Sequence, residues 1–168
     1  MKENLSLLTL FIEACKSGNT EKIAACLTLE VNIDCADQNG MTGLMICAGW
    51  DHCYAMEVLL NNQPTPNVNL KNYTNDTALH FACILKNHRA VTRLCSVPGV
   101  QLNAVNDDGW TPLLSAVTGG SVNVIKFLVQ VPGVELNVKD KAGDSSVMAA
   151  LKKRQDRHCE GDGGVCWC

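Results

Sequence analysis

The chain has 168 residues, room for one domain or one short array, and its apolar fraction of 46% is ordinary for a protein that buries a core. With 14 basic against 17 acidic residues the net charge is −3, which argues against a nucleic-acid binder, since such proteins carry a basic face. No apolar run reaches the roughly 18 residues of a membrane span, and the first residues lack the basic start and long apolar stretch of a secretory signal.

The first predicted unit lies near residues 5–33. Taking Thr9 as its origin, Phe11, Ala14 and Cys15 share one helical face, Gly18 breaks it, and Ile23, Cys26 and Leu27 form a second face. The pattern is helix, tight turn, helix. Residues 34–68 repeat it from Thr42, with Leu44, Cys47 and Ala48 and then Met56, Leu59 and Leu60. Residues 69–102 repeat it from Thr77, with Leu79, Ala82 and Cys83 and then Val91, Leu94 and Cys95. Residues 103–136 repeat it from Thr111, with Leu113, Ala116 and Val117 and then Ile125, Leu128 and Val129. A partial fifth unit, 137–158, opens at Ser145 with Val147, Ala150 and Leu151. Its second helix is expected to fail, because Glu160-Gly161-Asp162-Gly163-Gly164 is a poor helix former. That failure points to a changed or shortened C-terminus, as in an isoform or fragment. Residues 159–168, rich in Cys and Gly, are expected to be a disordered tail.

The origins Thr42, Thr77, Thr111 and Ser145 are 35, 34 and 34 residues apart. A constant period of this length marks stacked equal units. Each origin hydroxyl is placed to accept from a free N–H in the first turn of the helix it precedes. Pro112 suits the first helical position, where no N–H is needed. Two places before each origin stand Gly40, Asn75, Gly109 and Gly143, residues that tolerate positive φ and so form a turn tip. The turn between the two helices has Gly18 and Gly120 but also Asp51 and Lys86, where a left-handed backbone costs about 1 kcal/mol. The segment 61–67, with Pro64 and Pro66, is a longer loop between units.

Thr77-Ala78-Leu79-His80-Phe81-Ala82, Thr111-Pro112-Leu113-Leu114-Ser115-Ala116 and the turn Asp107-Asp108-Gly109-Trp110 resemble the ankyrin repeat, whose signature is Thr-Pro-Leu-His-x-Ala followed by a Gly turn. The likeness covers residues 5–153. It implies an all-α repeat fold, an ankyrin-type solenoid of helix-turn-helix units with short turn or β-hairpin tips, spanning residues 1–158. It also implies protein–protein recognition without catalysis. His80 alone keeps the signature His, and in the family it holds neighbouring turns together by hydrogen bonds.

Stacking leaves a concave surface of inner helices and turn tips, and such surfaces take extended polypeptides. Candidate partner contacts at the tips are Gln38, Asn39 and Met41; Tyr73, Thr74 and Asp76; Asp107, Asp108 and Trp110; and Lys141 and Asp144. At the inner-helix ends they are Gly49 and Trp50, Ile84 and Leu85, and Thr118 and Gly119. Trp50, Tyr73, Ile84, Leu85 and Trp110 are expected to share one apolar patch, the kind of surface in which binding hot spots occur. For Trp110 the competing role is packing on the next turn, and for Trp50 it is covering its own helix end.

Other chemistry has little support. Of the ten cysteines, Cys15, Cys26, Cys47, Cys83 and Cys95 fall in core columns, Cys35 aligns with Leu70, Ala104 and Val138, and the stack is expected to keep these thiols apart. That usage fits a reducing compartment, cytoplasm or nucleus. His158, Cys159, Cys166 and Cys168 lie outside the core pattern. They leave open a zinc-bound or lipid-linked protein, the terminal Cys-x-Cys resembling the end of some doubly prenylated small GTPases. Lys152-Lys153-Arg154 with Arg157 is either a nuclear address or a solvated helix end. Asn69, Asn103 and Asn137 are turn residues, or substrates of an asparaginyl hydroxylase. No phosphate loop, nucleophile elbow or His-Glu metal pair occurs, so neither enzyme activity nor a cofactor is expected. The functional expectation is a monomeric adaptor or inhibitor that binds a protein partner, with no nucleic acid and no membrane. The alternative is the ankyrin portion of a larger protein such as a substrate receptor.

Overall fold

A computed structural model describes residues 2–139 together with 141 and 143. Eight helices form among the described residues: α1 (Lys2–Ser17), α2 (Thr20–Thr28), α3 (Gly43–Gly49), α4 (Cys53–Leu60), α5 (Ala78–Ile84), α6 (His88–Cys95), α7 (Pro112–Gly119) and α8 (Val122–Leu128). Apart from α1 they run seven to nine residues, too short to persist in isolation. Packing supplies what length does not. The inner helices α1, α3, α5 and α7 lie each against the next, and the outer helices α2, α4, α6 and α8 do the same. The all-α ankyrin-type architecture expected from the period is the one observed. In the tips the expected β-hairpin reduces to isolated bridging, as in the antiparallel bridge of Ala36 with Thr42.

The core sits between the two helix rows. Leu44, Cys47, Ala48, Leu79, Ala82, Cys83 and Leu113 of the inner row and Met56, Leu59, Val91, Leu94 and Leu128 of the outer row are buried. The edges depart from the column pattern. Cys95, Val117 and Ile125 are half-buried, and Val129, at the end of α8, is 46% exposed. Ser145 and the helix expected after it lie outside the described residues, as do the tail cysteines, the Lys152–Arg157 cluster and Asp144.

The capping residues behave as their chemistry predicts in the second and fourth units. The Thr42 hydroxyl accepts from the Met45 N–H at 3.3 Å and the Thr111 hydroxyl from the Leu114 N–H at 3.4 Å. The first unit is different. Thr9 is not a cap but an interior residue of the 16-residue α1, which starts at Lys2. Leu7 and Leu8, packed on the core, continue the helical apolar pattern backward, so nothing stops the helix at Thr9.

Left-handed backbone occurs where expected. The tips have φ of 73° at Gly40, 61° at Asn75, 80° at Gly109 and 81° at Gly143. The inter-helix turns have φ of 65° at Gly18, 60° at Asp51, 68° at Lys86 and 76° at Gly120. Asp51 and Lys86 thus carry the strain that Gly18 and Gly120 avoid.

The thiols are less separated than the columns suggest. Cys47 donates to the Cys15 carbonyl at 3.8 Å, and Cys26 and Cys35 lie within electrostatic range of Cys15. The reason is that α1, α2, α3 and the first tip all send their small residues into one layer. The contact with Cys47 and then burial push the Cys15 thiol up, and burial raises Cys35 and Cys95 to about 11. Thiols so raised stay protonated and act as small apolar groups.

Candidate functional site

The first three tips are each built on one Asp or Asn side chain. The Asp37 Oδ1 accepts from the N–H groups of Asn39 (2.9 Å) and Met41 (3.0 Å). Asn72 Oδ1 accepts from Thr74 (3.1 Å) and Asp76 (2.8 Å), and Asn106 Oδ1 from Asp108 (3.1 Å) and Trp110 (2.9 Å). These are side-chain-to-backbone bonds of the kind that favour turns over helix. Burial pushes the Asp37 carboxyl up, but the Asn39 and Met41 amides and the Lys16 ammonium at 3.4 Å outweigh it and hold it below the usual carboxylate range.

Neighbouring units are tied by polar groups in the same register. Asn69 donates to the Gly99 carbonyl (2.8 Å) and accepts from the Gln101 N–H (2.8 Å). Asn103 does the same with Gly133 (2.7 Å) and Glu135 (2.9 Å). These two Asn side chains are structural turn residues with both ends of the amide engaged. At the other end of each unit, the His52 Nε2 meets the Lys16 carbonyl at 3.0 Å, and the Asn87 amide donates to the carbonyls of Ala48 and Gly49. Among the tips, the Asp107 N–H donates to the Thr74 carbonyl (3.0 Å), the Asn75 amide to Asp107 Oδ1 (2.7 Å) and the Asn106 amide to Asp76 Oδ1 (2.7 Å).

His80 fastens the third unit to the fourth. Its Nε2 lies 3.0 Å from the Trp110 carbonyl, which can only accept, so Nε2 carries the proton. Nδ1 is then left to accept from the Thr77 N–H at 3.2 Å, with the Thr77 hydroxyl 2.9 Å away. The ring is 1% exposed. Burial lowers its pKa, against the opposing pull of the Trp110 carbonyl and Asp76, and the ring is neutral. This inter-turn bond matches the role implied by the family resemblance.

Above His80 a recess of about 140 Å³ opens between the tips and the inner helices α5 and α7. Asp76, Asp108, Trp110, Phe81 and Ile84 form its walls, and Asn106 and Ser115 close it. Four of the expected contact residues, Asp76, Ile84, Asp108 and Trp110, therefore meet at one place. Phe81 and Ser115 were not singled out in sequence. They hold the fourth place after Thr77 and Thr111, one helical turn before Ile84 and Thr118, and that spacing is the signal that finds this face.

The remaining expected contacts are more scattered. Gln38, Asn39, Thr74 and Asp107 are exposed at the tips. Tyr73 is 75% exposed and lies over the backbone of Gly40. Trp50, 57% exposed, ends α3 with its ring 6.3 Å from the His52 ring. Leu85 is 50% exposed and leans on Gly49. Three positions differ from expectation. Met41 is half-buried and packs on the core. Gly49 is buried beneath Leu85 and Phe81. Gly119 backs onto the Ile84 carbonyl, because α5 and α7 approach too closely there for a side chain.

Among the described residues no three His, Cys, Asp or Glu side chains are arranged to hold a metal ion, and no helix is long and apolar enough to cross a membrane.

Comparison with known proteins agrees with this architecture. The family described as "Ankyrin repeats (3 copies)" matches residues 61–140 and again 87–160. A putative ankyrin repeat protein of fowlpox virus (strain NVSL) is 31% identical over 104 residues, 61% of this chain and 30% of that protein. The SMC5-SMC6 complex localization factor protein 1 of Homo sapiens is 38% identical over 64 residues, 38% of this chain and 6% of that protein. The probable 26S proteasome regulatory subunit p28 of Saccharomyces cerevisiae is 26% identical over 148 residues, 87% of this chain and 64% of that protein. The chain spans less than two thirds of the length of each of these relatives. Ankyrin repeats are non-enzymatic units that generally bind other proteins, and with the family matched over residues 61–160, the repeated helix pairs and the His80 clasp in place, this chain belongs to the ankyrin repeat family.

Proposed function

We propose that the chain is a non-enzymatic adaptor or inhibitor that takes an extended segment of a protein partner along the concave side of its stack. The observation that carries this reading is the open recess between successive units, walled by Trp110, Phe81 and Ile84 and not filled by the core. The ladder of tip and interhelix hydrogen bonds keeps neighbouring units in one register, so a partner meets a preformed surface and little ordering is needed on binding. Packed helices are roughly 8–10 Å apart, and an extended chain rises about 3.3 Å per residue. A partner strand would thus place about every third side chain over a new unit.

The test is capture of partner proteins, read by mass spectrometry, with the wild-type chain and with Trp110→Ala combined with Tyr73→Ala. The proteins enriched by the wild type should fall about tenfold or more with the double variant, as for removal of aromatic hot spots, while its melting temperature is unchanged. Melting of the double variant would assign both rings to packing and sink the reading.

A second reading is favoured by the lengths of the relatives, of which the chain spans 30%, 6% and 64%. In it the array is the partner-binding part of a larger protein such as a substrate receptor, and the same face does the binding.

A further inference from the structure

We infer that the partner segment presents a lysine or arginine whose side chain enters the recess between Trp110, Asp76 and Asp108. This rests on the concave-face reading above and names the chemistry of its occupant.

The recess is of side-chain dimensions, about 140 Å³. Its walls are of two kinds. Trp110, Phe81 and Ile84 offer apolar and aromatic surface, and Asp76 and Asp108 offer carboxylates at the tip side. A long side chain with a methylene stem and a cationic head satisfies both, burying the stem and presenting the head to carboxylate and indole. An apolar side chain would desolvate the Asp108 carboxylate without giving it a partner, and an anionic one would be repelled.

The carboxylates are arranged for an outside cation. Asp76 is held in place, its Oδ1 accepting from the Asn106 amide and its Oδ2 from the Thr74 hydroxyl, both at 2.7 Å. A carboxylate has about four acceptor sites, so capacity remains for a charge-assisted bond. The ion pairs among the described residues join Lys16 to Asp37 and Arg93 to Glu57. Neither Asp76 nor Asp108 has an ion-pair partner there. Lys71, within electrostatic reach of His80, places its ammonium on the Val105 carbonyl at 2.9 Å. His80 beneath the recess is neutral and adds no competing positive charge. Asp107 beside it adds a carboxylate of the same sign, and Lys141 of the next tip, whose backbone N–H donates to the Asp108 carbonyl at 3.4 Å, makes no ion pair with Asp108 among the described residues.

The probe is a random linear peptide library displayed on phage and selected on the full chain. Selected peptides are then made with their basic residue replaced by glutamine and titrated against the wild type, Asp108→Asn and Trp110→Ala. The Asp108 carboxylate makes no hydrogen bond among the described residues, so Asp108→Asn should leave the melting temperature unchanged. Clones that require Trp110 should share one Lys or Arg at a fixed place. Its change to glutamine, and Asp108→Asn, should each lower affinity about tenfold or more, as for loss of one partner of a charged pair. Salt should weaken the wild-type complex more than the Asp108→Asn complex. Clones that require Trp110 but lack a basic anchor, or that bind Asp108→Asn undiminished, overturn the inference and leave the concave-face reading standing. A selection yielding no clone that depends on Trp110 overturns both.

Discussion

A single Asp or Asn side chain decides the shape of each of the first three tips. Asp37, Asn72 and Asn106 stand five places before Thr42, Thr77 and Thr111, and each accepts two backbone N–H groups that the turn leaves free. Asn106→Ala removes those acceptors and the donor to Asp76, and it should cost about 1–3 kcal/mol in urea unfolding. Asp37→Asn keeps the acceptor oxygen and loses only a partly exposed ion pair, so its cost should stay below about 1 kcal/mol. His80 adds a pH dependence of known sign. Its folded pKa lies below the ordinary value near 6.5. The stability of its neutral, doubly bonded ring is therefore complete above about pH 6.5 and is lost as pH falls from there through the folded value. His80→Gln should flatten that arm in a series of urea midpoints. Asp37 works in a lower window, since its depressed pKa contributes stability above about pH 4 that is lost below it. The His80 clasp was legible from the signature motif. The tip Asx residues share the same period, but among helical periodicities they look like ordinary polar loop residues, and only the traced backbone shows what they hold.

At the level of helices, closeness matters more than propensity. Two of the inner helices, α3 and α7, end in Gly49 and Gly119, both poor helix formers, and both glycines sit where the neighbouring helix comes near. A Cβ built on Gly119 would lie 2.5 Å from the Ile84 carbonyl oxygen and 3.1 Å from its Cα. Gly119→Ala must therefore push α7 off α5. The expected cost is about 1–3 kcal/mol from overpacking, read as a lower urea midpoint, whereas surface sites elsewhere change stability by about 0.5 kcal/mol or less. The first helix teaches a different lesson. Register alone put a cap at Thr9, yet α1 extends back to Lys2. A repeat ruler carries over the column but not the boundary, because Leu7 and Leu8 continue the core-facing helix where the other units place a tip.

For the whole molecule, stability belongs to the junctions. Each unit's core is completed by the next, and Asn69, Asn103, His52 and Asn87 bond across units. Such an array unfolds as coupled neighbours. Gly119→Ala should accordingly raise hydrogen exchange in α5 and α8 as well as in α7, while α1 and α2 change least. Faster exchange confined to α7 would mean that the units open independently. The charged groups follow the same scale. Asp76 and Asp108 lie 32 residues apart in the chain, and they line one recess only because the third and fourth units stack.

The sequence by itself determined the architecture. A period of about 34 residues, two helical faces per unit and Gly or Asn at each turn allow few other packings, since each half-apolar helix has only its repeat neighbour to bury against. It also placed the left-handed turns at Asp51 and Lys86, because backbone strain is a local property. Only the tertiary structure decided which residues share a surface. It buried Gly49, seated Met41 on the core and gathered the first units' thiols into one layer. It also joined Phe81, Ile84 and Trp110 to two carboxylates, because contacts between units depend on how closely helices approach, and that distance is set by all the side chains between them at once.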